Sequence, residues 1–135
     1  MKSWTEKLNA PARATVKPAP ISIAGMRAGE MMLVPTPHQI EAFIRAIPAG
    51  RASDVRAMRK ALAKQNGAEV TCPITTGFHV RTVAEAACEM LARGAQLAEI
   101  APFWRLLDDR SPTTGRLSCG RAFVAEQRAK EGLSG

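Results

Sequence analysis

The chain reads SDVRAMRKALAKQNGAEVTCPITTGFHVRTVAEAACEMLARG over residues 53–94, which predicts two helices joined by a short linker. The first helix spans about residues 53–65, and the second runs from a cap at Thr75 or Thr76 to about Arg93. A glycine follows each helix as a C-terminal stop, and apolar residues recur on one face of each at helical spacing. A helix, a short turn and a second helix in this order have the organisation of a helix-turn-helix unit.

Basic residues cluster on the face of the first helix opposite its apolar residues. They are Arg56, Arg59, Lys60 and Lys64. At 100° per residue these four side chains lie together. The whole chain has a net charge of +7, and residues 51–64 hold five basic residues against Asp54 alone. Such a face either contacts phosphates of a nucleic acid or is a solvated helix surface, and charge alone leaves both interpretations open.

The 135 residues are enough for one domain, which we expect over residues 33–135. It begins with a helix from Thr36 to about Ile47, where Thr36 and Gln39 form a capping box around Pro37. Residues 1–32 are rich in proline, alanine and basic side chains, and they predict an extended basic N-terminal arm. The apolar run at residues 31–34 is expected to dock on the core as a strand or an extended strap.

The C-terminal third predicts a small β hairpin and a last helix. Residues 100–107 have the composition of a short buried strand, residues 108–115 are rich in turn formers, and residues 116–118 can return as a second strand. This hairpin would be the wing of a winged helix. A final helix follows over about residues 121–131. The fold class expected is therefore mainly α with a small β wing, as a winged helix-turn-helix.

Several classes of protein are excluded or disfavoured by composition. No apolar run approaches the roughly 18 residues of a membrane helix, and the N-terminus lacks the apolar stretch of a signal peptide. The three cysteines, Cys72, Cys88 and Cys119, show no CxxC spacing, so a disulfide framework or zinc site is not expected. His38 and His79 lie too far apart for metal-ligand spacing. We therefore expect a reduced, cytoplasmic protein without metal or other cofactor.

The motif Pro102-Phe103-Trp104-Arg105 introduces a resemblance to a known family. Together with Ile47-Pro48-Ala49-Gly50-Arg51, Gly115, Gly120 and Glu131-Gly132, it is similar to the DNA-binding and active-site domain of alkylguanine-DNA alkyltransferases. The likeness covers about residues 33–132. The opening Lys2-Ser3-Trp4 and the run at residues 72–77 resemble a bacterial subgroup of that family. The resemblance implies the winged helix-turn-helix of the alkyltransferase C-terminal domain, binding double-stranded DNA on the bacterial nucleoid.

The departures from the family motif bear on catalysis. Phe103 stands where the family has its acceptor cysteine, and Trp104 stands where it has the activating histidine. A thiolate is the nucleophile of that reaction, and a neighbouring histidine lowers the pKa of the thiol. The rings of Phe103 and Trp104 can replace neither the thiolate nor the histidine. Glu131 matches the glutamate that orients the histidine. We therefore expect no catalytic residues and a non-enzymatic protein, similar to the alkyltransferase-like proteins that bind alkylated bases.

The resemblance also implies residue roles. Besides the basic face, the expected DNA contacts come from Thr76, His79 and Arg81, of which Arg81 either intercalates or pairs with Glu85. The expected base pocket is formed by Phe103, Trp104, Arg105, Ser118 and Glu131, with Arg105 holding the wing loop through backbone carbonyls. Phe103 and Trp104 either stack on an extruded base or fill a defunct pocket. If Phe103 itself fills the slot, recognition of a damaged base fails.

Three hypotheses for function follow. The first is non-enzymatic DNA binding, with recognition of alkylated or damaged bases as its sharper form and a repair or regulatory protein as a possible partner. The second is a protein–protein adaptor that kept the scaffold and lost DNA contact. The third is an enzyme using an unrecognised thiol, for which Cys119 is nearest to the family's pocket. The basic face favours the first, and the absence of a histidine near any cysteine disfavours the third.

Overall fold

The structure is a computed structural model that describes residues 2–133. The helices are α1 (Trp4–Asn9), α2 (Pro37–Ala46), α3 (Val55–Gln65), α4 (Pro73–Ala92) and α5 (Gly120–Lys130). The strands are β1 (Thr15–Pro18), β2 (Met31–Val34) and β3 (Val70–Thr71). Short 3-10 helices lie at Leu97–Glu99, Phe103–Arg105 and Thr114–Arg116. The expected mainly α composition with a small sheet is confirmed, and no described helix is long and apolar enough to cross a membrane.

Side-chain caps fix the starts of the helices. Thr36 and Gln39 form the capping box at α2, with Pro37 at its first position. The Asp54 carboxylate accepts from the Ala57 N–H at the start of α3. α4 begins at Pro73, two to three residues before the predicted caps at Thr75 and Thr76, because Cys72 takes the N-cap position.

α4 is the central helix of the core. Residues 83–88 are all buried, so this part of the helix is covered on every side. α1, α2 and the 3-10 helix Phe103–Arg105 pack against it. Its small side chains, Ala84, Ala86 and Ala87, let these neighbours approach closely. The buried helix holds the other elements in place around one continuous apolar cluster.

The sheet lies at the N-terminal side of the molecule rather than in the predicted wing. β1 pairs with β2 antiparallel, with Thr15 opposite Val34. β2 pairs with β3 parallel, with Leu33 opposite Thr71. The docking of residues 31–34 as a strand is confirmed. β3 comes directly before α4, so the sheet anchors the start of that helix.

The expectation that residues 1–32 form an extended arm is wrong for residues 4–9, while residues 15–18 are extended and paired in the sheet. Residues 4–9 form α1, which begins with a capping box between Ser3 and Glu6 and places Leu8 in the core. Residues 15–18 form an edge strand of the sheet. The prolines that disfavoured helix lie after α1, so they end this short helix without preventing it.

The predicted wing hairpin is wrong. Residues 100–107 contain a 3-10 helix and no strand, and residues 114–116 form another 3-10 turn. Almost all of the apolar run Ile100–Leu107 is buried. The periodicity of a sequence does not distinguish a buried irregular segment of this kind from a buried strand. Pro102 lacks the backbone N–H that a ladder needs. The final helix is confirmed to within one residue at each end.

The expectation of three reduced cysteines is also wrong. Cys88 in α4 and Cys119 before α5 are joined by a disulfide across 31 residues, with 5.6 Å between their Cα atoms. Cys72 is the free cysteine of the described chain, and it is buried. The pairing comes from the packing of α5 against the centre of the fold, which cysteine spacing does not reveal.

Candidate functional site

The basic face of α3 points into solvent. Arg56, Lys60 and Lys64 are exposed. Within residues 2–133 none of these three side chains forms an ion pair or a side-chain hydrogen bond. Three like charges within three turns of one helix repel one another, so they lower the stability of the helix unless an anion binds there. The predicted basic face of α3, called the cationic face below, is therefore present and is not neutralised by ion pairs.

Arg59 has a different role from its neighbours. Its Nε and Nη2 atoms donate to the Thr71 carbonyl at 3.2 and 3.1 Å, and the Thr71 hydroxyl donates to the Arg59 carbonyl at 2.7 Å. Burial lowers the pKa of the Arg59 guanidinium. These bonds tie α3 to β3, so Arg59 is a structural residue at the edge of the cationic face.

A groove of about 720 Å³ lies beside this face. Its walls come from α3, from β3 and from the turn at Ala24 and Gly25, both of which have a positive φ. Arg56, Arg59 and Lys60 line it, and Glu69 supplies an opposing charge. No pattern in the sequence indicates this groove, because residues 24–25 and α3 are far apart along the chain and the sheet brings them together.

The residues in the first turns of α4 that were predicted to contact DNA differ in their burial. Thr76 is completely buried and its hydroxyl donates to the Cys72 carbonyl at 2.6 Å, so its prediction as a surface contact is wrong. His79 is half-buried and its ring hydrogen-bonds the Pro35 carbonyl, while burial lowers its pKa. Phe78, by contrast, is 70% exposed, and Ile74 is 49% exposed one turn earlier.

Arg81 is engaged within the fold. Its Nη2 atom lies 3.8 Å from an oxygen of Glu85, and its guanidinium lies 5.2 Å from the centre of the Trp4 ring. The buried Glu85 carboxylate also accepts from the backbone N–H and the hydroxyl of Ser118, both at 2.9 Å. Of the two alternatives for Arg81, the structure contains the pairing with Glu85. Ser118, expected in a base pocket, contributes to this network instead.

The position of the expected base pocket is filled by aromatic rings. Phe103 has no exposed surface and stacks on Phe123 with ring centres 6.0 Å apart. The rings of Trp104 and Phe103 meet edge to face, with their centres 5.6 Å apart. Trp104 is only 2% exposed, so neither ring offers a free face to solvent. Phe103 therefore acts as filler, and the expected slot for an extruded base is closed.

Glu131 is the centre of a partly buried polar network. Its carboxylate accepts from Trp104 Nε1 at 2.8 Å, from Arg105 Nε at 2.9 Å and from the Gly50 N–H at 3.0 Å. Arg105 Nη1 also donates to the Ile47 carbonyl at 2.9 Å. The Arg105 bonds lower the pKa of Glu131 most, burial opposes them, and the net pKa is about 2. Arg105 does hold a backbone carbonyl, but at the end of α2 rather than in a wing.

Cys72 is the free cysteine of the described chain, so its pKa and accessibility decide whether it can act as a nucleophile. Burial raises its pKa, but hydrogen bonds from Thr75 and Ile74 and the charge of Arg59 lower it more, so the net pKa lies below the ordinary value. Its Sγ atom accepts from the Thr75 N–H at 3.5 Å, which makes it a helix cap. Among residues 2–133 no group of three or more metal-ligating side chains is placed to hold a metal ion.

No protein-family model, curated protein or solved structure matches this chain. The resemblance to alkyltransferases is therefore one of sequence motifs alone. Of the residues that those motifs single out, Ile47, Gly50, Arg105 and Glu131 are brought together by the hydrogen bonds around Glu131. Phe78, the most exposed large apolar side chain of the described residues, is not among the residues predicted to form the site. At 100° per residue it lies about 200° from Val80, so a large aromatic on the polar side of α4 was the available signal.

Proposed function

We propose that this chain is a non-enzymatic protein that binds double-stranded DNA through α3 and the start of α4. The observation that carries the proposal is the set of three exposed, unpaired cations on one face of α3, namely Arg56, Lys60 and Lys64. Phosphates would neutralise them and release counterions, which drives binding without a sequence preference. α3, β3 and α4 would then act as a helix-turn-helix unit.

The resemblance to alkyltransferases supports the same assignment. It covers about residues 33–132 and places α3 and α4 at the family's DNA-binding helices. We do not extend the proposal to damaged bases, because Phe103 and its neighbours fill the position of the pocket. The proposal places the protein on the nucleoid in the bacterial cytoplasm, a reducing compartment in which a disulfide such as Cys88–Cys119 rarely persists.

The test is a fluorescence anisotropy titration of a plain DNA duplex over a series of KCl concentrations. Wild type is compared with the triple variant Arg56→Gln, Lys60→Gln, Lys64→Gln. Glutamine keeps the helix propensity of these positions while removing the charge. Arg59 is left intact because it holds β3. If the three cations contact phosphates, the variant binds more weakly and its slope of log K against log salt is about 2.7 less negative.

A matched control removes the same charge elsewhere. Arg110 lies before the 3-10 helix Thr114–Arg116, Arg116 lies at its end, and Lys130 lies at the end of α5, where it pairs with Glu126; all three cations are exposed. Their triple replacement with glutamine is expected to leave most of the affinity and the salt slope. Equal losses in the two triple variants would show unspecific charge attraction and contradict a binding face on α3. No duplex binding by wild type would reject DNA binding and leave the adaptor hypothesis.

A further inference from the structure

The groove of about 720 Å³ beside α3 combines charged and apolar walls. Arg56, Arg59 and Lys60 line it, and Glu69 is the acidic residue of the lining. Three positive charges against one negative charge leave the groove with a net charge of +2. The apolar part of the lining consists of Ala24, Val55, Ala63 and Val70. The volume lies in the range of sites that bind small organic molecules.

The cations of this groove are available to a ligand. Arg56 and Lys60 are four residues apart, so they lie on the same side of α3. Neither forms an ion pair or a side-chain hydrogen bond within residues 2–133. Glu69 does not neutralise them, because its carboxylate accepts from the Met31 N–H at 3.0 Å and forms no ion pair in the described chain. The positive charge of the groove is therefore uncompensated.

The turn that forms one wall of the groove is held in a strained conformation. Ile23 and Met26 exchange two backbone hydrogen bonds of 2.9 Å, so Ala24 and Gly25 are the central residues of a tight turn. Both have a positive φ, which at 51° is unfavourable for Ala24 because of its Cβ atom. Met26 is buried in a small apolar cluster that anchors the turn. Strain of this kind persists only where the surrounding structure enforces it, so this wall is in place before a ligand binds.

We propose that this groove binds a free organic phosphate monoester. The inference goes beyond the proposed function, because the ligand is a small molecule rather than DNA. A phosphate monoester carries nearly two negative charges at neutral pH and three acceptor oxygens, which matches the net charge of the groove and the donors of Arg56 and Lys60. Its organic part lies on Val55 and Val70, apolar walls that an inorganic phosphate would leave unused.

The test is isothermal titration calorimetry with phenyl phosphate, which joins a phosphate monoester to a small apolar ring. Wild type is expected to bind it at a single site. Arg56→Gln and Lys60→Gln are each expected to weaken binding about tenfold, because each removes a charged donor to the phosphate. Inorganic phosphate is expected to bind more weakly than phenyl phosphate, because it buries no apolar surface. Methyl phenyl phosphate is also expected to bind more weakly, because a diester carries a single charge.

Lys64→Gln is the matched control, because Lys64 is an exposed cation of α3 that does not line the groove. It is expected to keep the affinity for phenyl phosphate, although the proposed DNA contact uses Lys64 as much as Lys60. Equal losses in Lys60→Gln and Lys64→Gln would show general charge attraction and overturn the site. Wild type that does not bind phenyl phosphate, or that binds inorganic phosphate equally well, also overturns it.

The 5′ end of DNA is a second source of a phosphate monoester. A duplex with 5′-phosphate ends is therefore compared with the same duplex carrying 5′-hydroxyl ends, and the two are expected to bind equally. Tighter binding of the 5′-phosphate duplex, without binding of phenyl phosphate, assigns the groove to a DNA end and overturns the small-molecule proposal. Binding of phenyl phosphate without binding of either duplex supports this inference and rejects the proposed function.

Discussion

At the scale of single residues, Glu131 joins three segments of the chain through its hydrogen bonds. Its carboxylate connects the end of α5 with the turn after α2, through Gly50, and with the 3-10 helix, through Trp104 and Arg105. A carboxylate that accepts several hydrogen bonds, two of them from a guanidinium, is strongly stabilised in its charged form. The indole N–H of Trp104 also donates to this carboxylate.

We predict that Glu131 makes stability depend on acid pH. Its pKa in the folded protein is about 2, against an ordinary value of 4.5, so its stabilisation is complete above about pH 4.5 and disappears as the pH falls toward 2. Glu131→Gln is expected to lower the free energy of unfolding by about 3 kcal/mol at pH 7 and to flatten its dependence on pH in that window. Urea unfolding at a series of pH values measures both.

Glu126→Gln is the control on the same helix. Glu126 pairs with Lys130, and both side chains are about three-fifths exposed, so its replacement is expected to change stability very little. If the two variants had the same stability and the same pH dependence, the hydrogen bonds around Glu131 would not hold the fold together.

At the scale of elements, α1 shows how a short helix is held by its neighbour. Six residues are too few for a stable isolated helix. Glu89 of α4 accepts from the backbone N–H groups of Trp4 and Thr5 at 3.2 and 3.1 Å, and from the Thr5 hydroxyl at 2.7 Å. Hydrogen bonds from Thr5 lower the pKa of Glu89. Leu8 then enters the core beside α4.

We predict that Leu8→Ala lowers the free energy of unfolding by about 2–4 kcal/mol, because it leaves a cavity against α4. Chemical denaturation measures the change. Val16→Ala, on the exposed edge strand β1, is the control and is expected to cost less than about 0.5 kcal/mol. Equal effects of the two variants would mean that residues 1–32 form the extended arm that their composition indicates.

At the scale of the whole molecule, residues 2–133 present no accessible free thiol while the Cys88–Cys119 disulfide is intact. Cys88 and Cys119 are joined to each other, and Cys72 is 8% exposed beneath the start of α4. Phe103, which the sequence resemblance aligns with an acceptor cysteine, is a completely buried ring. Although the pKa of Cys72 is lowered, a thiolate needs access to its substrate to act as a nucleophile.

We predict that the protein transfers no alkyl group from alkylguanine-containing DNA to any of its cysteines. Mass spectrometry of the intact protein and of its peptides after incubation is expected to show no added methyl group on Cys72, Cys88 or Cys119. Treatment of the reduced, unfolded protein with iodoacetamide should label all three, which shows that the method detects modification at each. A methyl group on any of them after incubation with the DNA would establish the enzyme hypothesis.

Local signals were enough to predict most of the helices. Thr36 and Pro37 marked the start of α2, Gly67 marked the end of α3, and the basic face of α3 followed from its helical period. These predictions succeeded because caps and periodicity depend on residues within a few positions of one another. α1 was the exception, since its stability comes from Glu89, more than eighty residues away.

The features of the fold that were not predicted come from contacts between residues that are far apart in the sequence. The pairing of β2 with β3, the Cys88–Cys119 disulfide and the bonds from Glu131 to Gly50 join parts of the chain 31 to 81 residues apart. Packing also turned the apolar run at residues 100–107 into a buried 3-10 segment and placed Thr76 in the interior while it left Phe78 outside. Hydrophobic burial has no direction along the chain, so the same apolar composition fits a strand or a buried turn until its neighbours are in place.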